Sequence, residues 1–380
     1  MAVTDQRAPP AQQLRMSARE MASLGERIQS LHDEICRFEP GVERMACALY
    51  DADLDLLRTF VNSTHKGKPL TAYEYKLSQS PSLLRMAQSG QSRVLHDIPV
   101  DLDSQTEHSR WLLAQGFRSS YTMPLFVKGA FEGFLFFDST QAGLFRPEVT
   151  SLLGVYGRLV GLMITHETAA VRSLVGSVRI AREFAHLRDL ETSTHLERMS
   201  RYCRVMARRM AASHGLSDEF AEHLFLFSSL HDIGKIGVPD SILRKQGSFT
   251  PDERTQMQRH VLLGSEIVER LVGDFALDGL ASLSILRNLV ACHHEYLDGS
   301  GYPRGLRAEQ IPIEARITTV ADIFDALTSQ RVYKPNWSVE DAHARLDRMV
   351  GEGKLDGACV QALKSAAPQV LEILQRYTEE

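Results

Sequence analysis

Apolar residues recur along this chain in two textures: helical spacing at both ends, and short β-branched or aromatic runs between them. Over residues 13–37, Leu14, Met21, Leu24, Ile28, Leu31 and Ile35 fall at helical steps, which predicts an amphipathic helix ending before Pro40-Gly41. Residues 1–12, polar and Pro-containing, read as a disordered lead. Strand texture follows: two strands within 45–60 around a turn at Asp51-Ala52-Asp53, another at 92–95, and a hairpin of 121–127 with 131–137 that turns at Gly129. A helix is predicted from about residue 147 to 164. The first half, 13–168, is thus expected to be an α+β domain of sensor size. From Thr192 onward the spacing is helical almost throughout, which predicts an all-α bundle over 191–380. A helix over 169–190 joins the halves, and on it Val171, Leu174, Val178, Ala181 and Ala185 make a short heptad seam. Either the seam pairs with a second copy as a parallel coiled coil, giving a homodimer, or it packs on its own domain. Periodicity does not choose.

Composition narrows the class without changing it. The chain has 380 residues, 43% apolar and 24% charged, the balance of an ordinary soluble globular protein of about two domains. Net charge is −5 and no half is basic, so neither a nucleic acid polymer nor an anionic membrane is expected as a partner. The cysteines (Cys36, Cys47, Cys203, Cys292, Cys359) are odd in number, far apart and form no CxxC pair, which fits a reducing cytoplasm. The opening MAVTDQRAPPAQQ has no apolar core for a signal peptide. Apolar stretches such as 159–164 and 224–227 fall short of the about 20 residues that a bilayer span takes.

Chemistry concentrates in the helical half, where nine of the 14 histidines lie after residue 185. Thr250-Pro251-Asp252-Glu253 combines a capping hydroxyl, a first-turn proline and a Glu three residues after the cap, and so opens a helix expected to reach about Leu271. His260 falls on its apolar face with Met257, Val261, Gly264, Ile267, Val268 and Leu271. His293 continues the face Ile285, Leu286, Leu289 and Val290, with His294 beside it. His195 heads the stripe Met199, Tyr202, Met206 and Met210, and Glu191 lies one turn earlier. His231-Asp232 end an apolar helix over 220–233 before Gly234. Asp322 and Asp325 share one face within the apolar run 317–327. Each residue alone has an ordinary explanation, such as a core histidine bonded to a carbonyl, or a carboxylate paired with Arg316 or Arg331. Together, at least five helices would send histidine or acid inward. Imidazole and carboxylate without thiolate suit Fe, Mn, Zn or Co. Asp232 could bridge two ions, a device used on phosphate esters. Lys235, Arg331 and Lys334 are each ordinarily solvated surface charges, but at the mouth of such a site they would neutralise phosphates. In the loop Asp298-Gly299-Ser300-Gly301-Tyr302-Pro303, Tyr302 could stack on a base or bond a phosphate; a plain turn is the alternative.

In order, His231-Asp232-Ile233-Gly234-Lys235, His293-His294-Glu295 with Gly301-Tyr302-Pro303, Asp322-Ile323-Phe324-Asp325-Ala326 and Arg331-Val332-Tyr333-Lys334 resemble the HD-GYP domains, metal-dependent phosphodiesterases acting on cyclic di-GMP. The resemblance spans about residues 175–375. It implies metal ligands at Glu191, His195, His231, Asp232, His260, His293, His294 and Asp322, for two or three divalent ions, Fe or Mn, with Glu191 going with a third. It implies catalysis around Asp232 and Lys235, and substrate binding by Lys235, Tyr302, Asp325, Arg331 and Lys334. Cyclic di-GMP would be opened to pGpG, with pGpG and GMP the alternative end products. Ser193, Gln246 and Val332 depart from the usual Gly, Pro and Pro, and none removes a ligand. The first half more loosely resembles a GAF domain, in element order and in the run Gly133-Phe134-Leu135-Phe136-Phe137, which implies an N-terminal response to a small-molecule or redox signal. Nothing around Cys36 or Cys47 marks either as an attachment site. The expectation is a GAF-like α+β domain joined by a helix to an all-α HD-type bundle. A phosphohydrolase for another dinucleotide, or a catalytically silent cyclic di-GMP receptor, are the alternatives.

Overall fold

The computed structural model describes residues 22–102, 107–184, 192–275, 277, 279–329 and 337–378. Helix α1 (Leu24–Phe38) opens on a capping box in which Ser23 and Glu26 satisfy each other's backbone N–H. Strands β1 (Arg44–Asp51), β2 (Leu56–Thr64), β3 (Glu74–Lys76), β4 (Arg93–Leu95), β5 (Ser119–Val127) and β6 (Ala130–Ser139) follow, interrupted by helices α2 (Pro81–Ser89), α3 (Ile98–Asp101) and α4 (Glu107–Ala114). They form one antiparallel sheet in the order β3-β2-β1-β6-β5-β4. The expected hairpin closes through Lys128 and Gly129, both at positive φ (50° and 85°), as a tight primed turn requires. Both faces of the central strands are covered, hence their unbroken apolar runs. Leu24, Ile28 and Ile35 of α1 cover one face, and Leu77, Leu83 and Met86 cover the other. The sequence pattern does not anticipate β3 or α2 to α4, which are too short for periodicity to register.

Helix α5 (Pro147–Phe184) departs from expectation, running 38 residues without a break through the expected end at 164 and on into the expected linker. Leu153, Val160 and Ile164 pack on the sheet, while Val171, Leu174 and Val178 enter the core of the helical half and are at most 4% exposed. The heptad seam is therefore buried within its own chain. The parallel coiled coil is corrected in favour of the other reading, packing on the same polypeptide. The side chains of Ala181 and Ala185, which end the seam, lie outside the described residues. The statement that apolar stretches are too short for a bilayer is also corrected. By length and composition alone, Pro147–Val178 could cross one, because this helix carries apolar faces for two cores.

The helical half comprises α6 (Ser193–His214), α7 (Asp218–Ser228), α8 (Asp240–Leu243), α9 (Pro251–Gln258), α10 (His260–Asp274), α11 (Leu283–Cys292), α12 (Ile313–Thr328), α13 (Val339–Gly351), α14 (Gly357–Ser365) and α15 (Ala367–Arg376). α6 runs through its middle, with Met199, Tyr202, Cys203 and Met206 fully buried. The single helix expected from residue 251 to 271 is two, α9 and α10. At their junction the His260 ring donates Nδ1–H to Met257 O (2.7 Å), a side-chain bond that competes with the helical ladder. The halves meet through buried, paired charge. Arg204 reaches Asp51 (3.1 Å) and Glu222 (3.3 Å), Arg208 donates to Tyr73 O (2.9 Å), and Asp218 accepts from Ala72 N–H (2.8 Å).

Candidate metal centre

Each described ligand candidate enters from a helix end or a helix face. Thr192 caps α6 by accepting the His195 N–H (3.2 Å), which sets His195 on the first turn. His231 and Asp232 follow α7, in a turn leading to the short 3₁₀ helix Ile233–Gly237. Gly234 lets that turn lie against α10: a Cβ there would sit 1.8 Å from His260 O and 2.4 Å from Gly264 N. His293 and His294 directly follow α11, and Asp322 projects from α12. Thr319 ties these two together by donating to His293 O (2.6 Å).

The histidine protons are fixed by the backbone. Nδ1 of His231 lies 2.9 Å from Ser228 O, that of His260 2.7 Å from Met257 O, and that of His293 3.0 Å from Leu289 O. A carbonyl only accepts, so each Nδ1 carries the hydrogen and each Nε2 turns a lone pair inward. These atoms converge on Asp232. His231 Nε2 is 3.0 Å from Oδ2, and those of His260 and His293 are 2.9 and 3.5 Å from Oδ1. Lone pairs against a carboxylate repel unless a cation lies between them. The Nε2 atoms of His260 and His293 and Oδ1 of Asp232 are buried without a hydrogen-bond partner.

Two groups result. Asp232, His260, His293 and His294 each offer an atom within 4.8 Å of the others, and so do His195, His231 and Asp322. Asp232 belongs to both, since its Oδ1 faces the first group and its Oδ2 faces His231 of the second. An all-imidazole and carboxylate donor set with half-buried His294 and Asp322 at its edge fits divalent metal ions. The electrostatics agree. Burial alone would raise the Asp232 carboxyl, but the Lys235 ammonium beside it (2.7 Å) holds it well below the usual range. Burial lowers His293 and, with His293 adjacent, lowers His294 further, so both are neutral as ligands must be.

Asp325 is corrected from the expected substrate contact. It is fully buried, accepts from Arg198 Nε (2.7 Å) and Ser329 Oγ (2.8 Å), and lies 2.8 Å from His195 Nδ1. Burial opposes its charge, but Arg198 and His195 keep it ionised. It therefore orients His195, whose Nε2 points toward Asp322 Oδ1 (3.8 Å). Tyr302 stacks on His294 with ring centroids 4.6 Å apart. The loop before it is more than a plain turn: Glu295 accepts the backbone N–H groups of Arg304 (2.7 Å) and Leu306 (2.9 Å). Gly301 lies where a Cβ would come 2.5 Å from His294 O. Glu191, Arg331 and Lys334 lie outside the described residues. Sequence reasoning missed Arg198, Thr319 and the holding role of Glu295. The available signal was Arg198 three residues after His195, a charge on a stripe of core residues.

Residues 187–359 match the family model described as HD domain. Over 200 residues the chain is 42% identical to a cyclic di-GMP phosphodiesterase response regulator of Xanthomonas campestris, covering 53% of this chain and 50% of that protein. It is 39% identical over 204 residues to a probable cyclic di-GMP phosphodiesterase of Vibrio cholerae, covering 52% and 45%. Most of the helical half is thus similar to HD domains and to these phosphodiesterases. A 3′3′-cGAMP-specific phosphodiesterase of Vibrio cholerae is 31% identical over 263 residues, 66% of this chain and 46% of that one, a match longer than the HD-GYP domain. The chain spans about half the length of the curated relatives it matches. Over the first half, the crystal structure of a GAF domain/HD domain protein from Geobacter sulfurreducens is similar at TM-score 0.32 and 17% identity, covering 40% of this chain and 99% of that one. The expected fold class is the observed one: an α+β domain joined by a helix to an all-α bundle that carries the HD-GYP residues.

Proposed function

We propose that this chain is a metal-dependent phosphodiesterase that hydrolyses cyclic di-GMP, with pGpG and GMP the alternative end products, under the control of a GAF-like domain over 13–168. The observation that carries the reading is Asp232, one buried carboxylate whose Oδ2 faces Nε2 of His231 and whose Oδ1 faces Nε2 of His260 and His293. His195, His231, Asp232, His260, His293, His294 and Asp322 would hold two ions, Fe or Mn, and Glu191 a third. Such ions, when bound, supply Lewis acidity toward a phosphoryl oxygen and acidify water near neutral pH. The chain's own residues do the rest. Asp325 and Arg198 keep His195 in one tautomer and orientation. Lys235 holds its ammonium beside Asp232, where it neutralises a phosphate oxygen, as Arg331 and Lys334 would from the mouth. Tyr302, braced on His294, offers a ring edge to a guanine base. The relatives' names point to the same substrate. We place the enzyme in the cytoplasm; all five cysteines are free thiols.

A second reading, specificity for a mixed cyclic GMP-AMP, is favoured by the longer match to the Vibrio cholerae enzyme named for that substrate. The test is turnover of cyclic di-GMP and cyclic GMP-AMP side by side, with protein purified anaerobically and loaded with Fe(II) or Mn(II), metal counted per chain, and Asp232→Ala as control. Cyclic di-GMP turnover abolished in Asp232→Ala supports the proposal. A rate at least tenfold faster on the mixed dinucleotide moves the specificity to the second reading. Two or three ions without turnover of either substrate overturns both, and neither metal nor turnover leaves a silent receptor.

A further inference from the structure

Helix α5 carries a second apolar stripe, on a face turned away from both cores. Leu152, Val155, Leu159 and Leu162 alternate steps of three and four residues, the spacing of a heptad seam. At about 3.6 residues per turn, the stripe faces about 140° away from Leu153, Val160 and Ile164, which pack on the sheet. Val155, Leu159 and Leu162 are 56%, 47% and 67% exposed, and Leu152 is half-buried. A groove of about 310 Å³ runs beside them, between Arg158, Gly161 and Leu162 of α5 and Met123, Leu125 and Phe126 of β5. Phe126 is itself 43% exposed. Single exposed apolar residues are ordinary, but several joined on one face mark a contact surface.

The polar residues that end the stripe decide what fits it. Glu148 lies one step before Leu152 and His166 one step after Leu162, and both are exposed. Against a parallel copy every seam residue would meet itself, so two Glu148 carboxylates would face each other and repel. An antiparallel copy reverses the order. In the register that sets Leu152 against the partner's Leu162, Val155 falls against the partner's Leu159. Four apolar layers result, and at each end Glu148 meets the partner's His166, whose ring N–H can donate to the carboxylate. From Glu148 to His166 the seam is about 27 Å long. A bilayer suits this face less well, because it would take Glu148, Arg158 and His166 into hydrocarbon with the leucines. The stripe is thus complementary to itself in both apolar and charged positions.

We propose that the Leu152–Leu162 stripe of α5 packs antiparallel on the same stripe of a second copy, across a two-fold axis near Gly157. The contact is isologous, so both chains use the same residues and the assembly closes at two. It differs in face and in direction from the parallel coiled coil expected over 171–185, whose Val171, Leu174 and Val178 are spent inside the bundle. The proposal does not depend on the phosphodiesterase reading.

Sedimentation velocity of the full chain, up to tens of micromolar and at low salt, tests it. The expected parent species has twice the mass of one chain. Leu159→Asp with Leu162→Asp puts a carboxylate into every apolar layer and should raise the dissociation constant at least a hundredfold. Circular dichroism should not change, because both side chains already face solvent. Glu148→Lys alone should weaken the dimer several-fold, and Glu148→Lys with His166→Glu should restore it. In a parallel dimer that double exchange sets like charge against like at both ends and restores nothing. A monomeric parent, a dimer that Leu159→Asp with Leu162→Asp leaves intact, or a double exchange without recovery overturns the proposal. A monomer that floats with phosphatidylcholine vesicles also overturns it and gives the stripe to a bilayer.

Discussion

Replacing Gly234 with alanine isolates the close approach that assembles the metal centre. Gly234 has no left-handed backbone, so alanine meets no conformational penalty there and any effect is steric. The added Cβ would lie 1.8 Å from His260 O and 2.4 Å from Gly264 N, both backbone atoms of α10. Carbon and oxygen rest at about 3.3 Å, so the turn and the helix must part by about 1.5 Å. No rotamer relieves this. Overpacking of this kind costs about 1–3 kcal/mol. The same displacement carries His260 away from Asp232, and a misplacement of about 1 Å costs on the order of 100-fold in rate. Gly237→Ala is the matched control, because its Cβ would meet only Leu263 Cδ1 at 3.0 Å, the tip of a flexible side chain. Metal per chain after loading and dialysis, melting temperature and dinucleotide turnover are measured on both variants. Gly234→Ala should lose at least one ion, melt several degrees lower and turn over about 100-fold more slowly, with Gly237→Ala close to the parent protein. A Gly234→Ala protein with parental metal content and melting temperature would refute the reasoning.

Three further outcomes are expected. Asp325→Ala removes the carboxylate that pairs the buried Arg198 guanidinium and should cost about 3–5 kcal/mol in urea unfolding; a loss below about 1 kcal/mol contradicts the role given to Asp325. Leu174→Lys with Val178→Lys places two ammonium groups in the helical core, so native near-UV dichroism should be lost; a fully folded chain whose only change is halved mass would restore the coiled coil. The third concerns His223, buried on α7 with Nε2 lacking a hydrogen-bond partner and 3.7 Å from Glu167. Burial lowers it from 6.5 to about 4, so between those pH values the unfolded chain binds the extra proton. Its contribution is full above pH 6.5 and is lost as pH falls toward 4, by about 3 kcal/mol. Glu167 and Glu219 nearby are raised, chiefly by burial, and act in the opposite sense, so the readout is the difference from His223→Gln. That difference should shrink as pH falls, and parallel stability curves would rule the effect out.

Much of the HD-GYP centre was legible before any fold was known, and for a local reason. A histidine or aspartate on a stripe of core residues must point inward, and helical spacing reveals the stripe. His195, His260, His293 and Asp322 were placed this way. Asp325 was misjudged by the same logic. Sharing a face with Asp322 shows that it points inward, but not that Arg198, 127 residues away, meets it there.

The amino-acid pattern by itself determined which faces are apolar, where α1 ends and α9 begins, the turn of the β5–β6 hairpin, and the inward histidines of the bundle. Tertiary structure alone decided what covers each face. The stripe Val171, Leu174 and Val178 is as suited to a second copy as to its own domain, and only the packed bundle buries it. It alone broke the helix at His260, where a side chain bonds the Met257 carbonyl. It alone brought Cys36 to His65, 29 residues on. Periodicity is a property of neighbours three or four residues apart. Burial, proton placement and repulsion between lone pairs depend on groups that meet only when the chain has closed on itself.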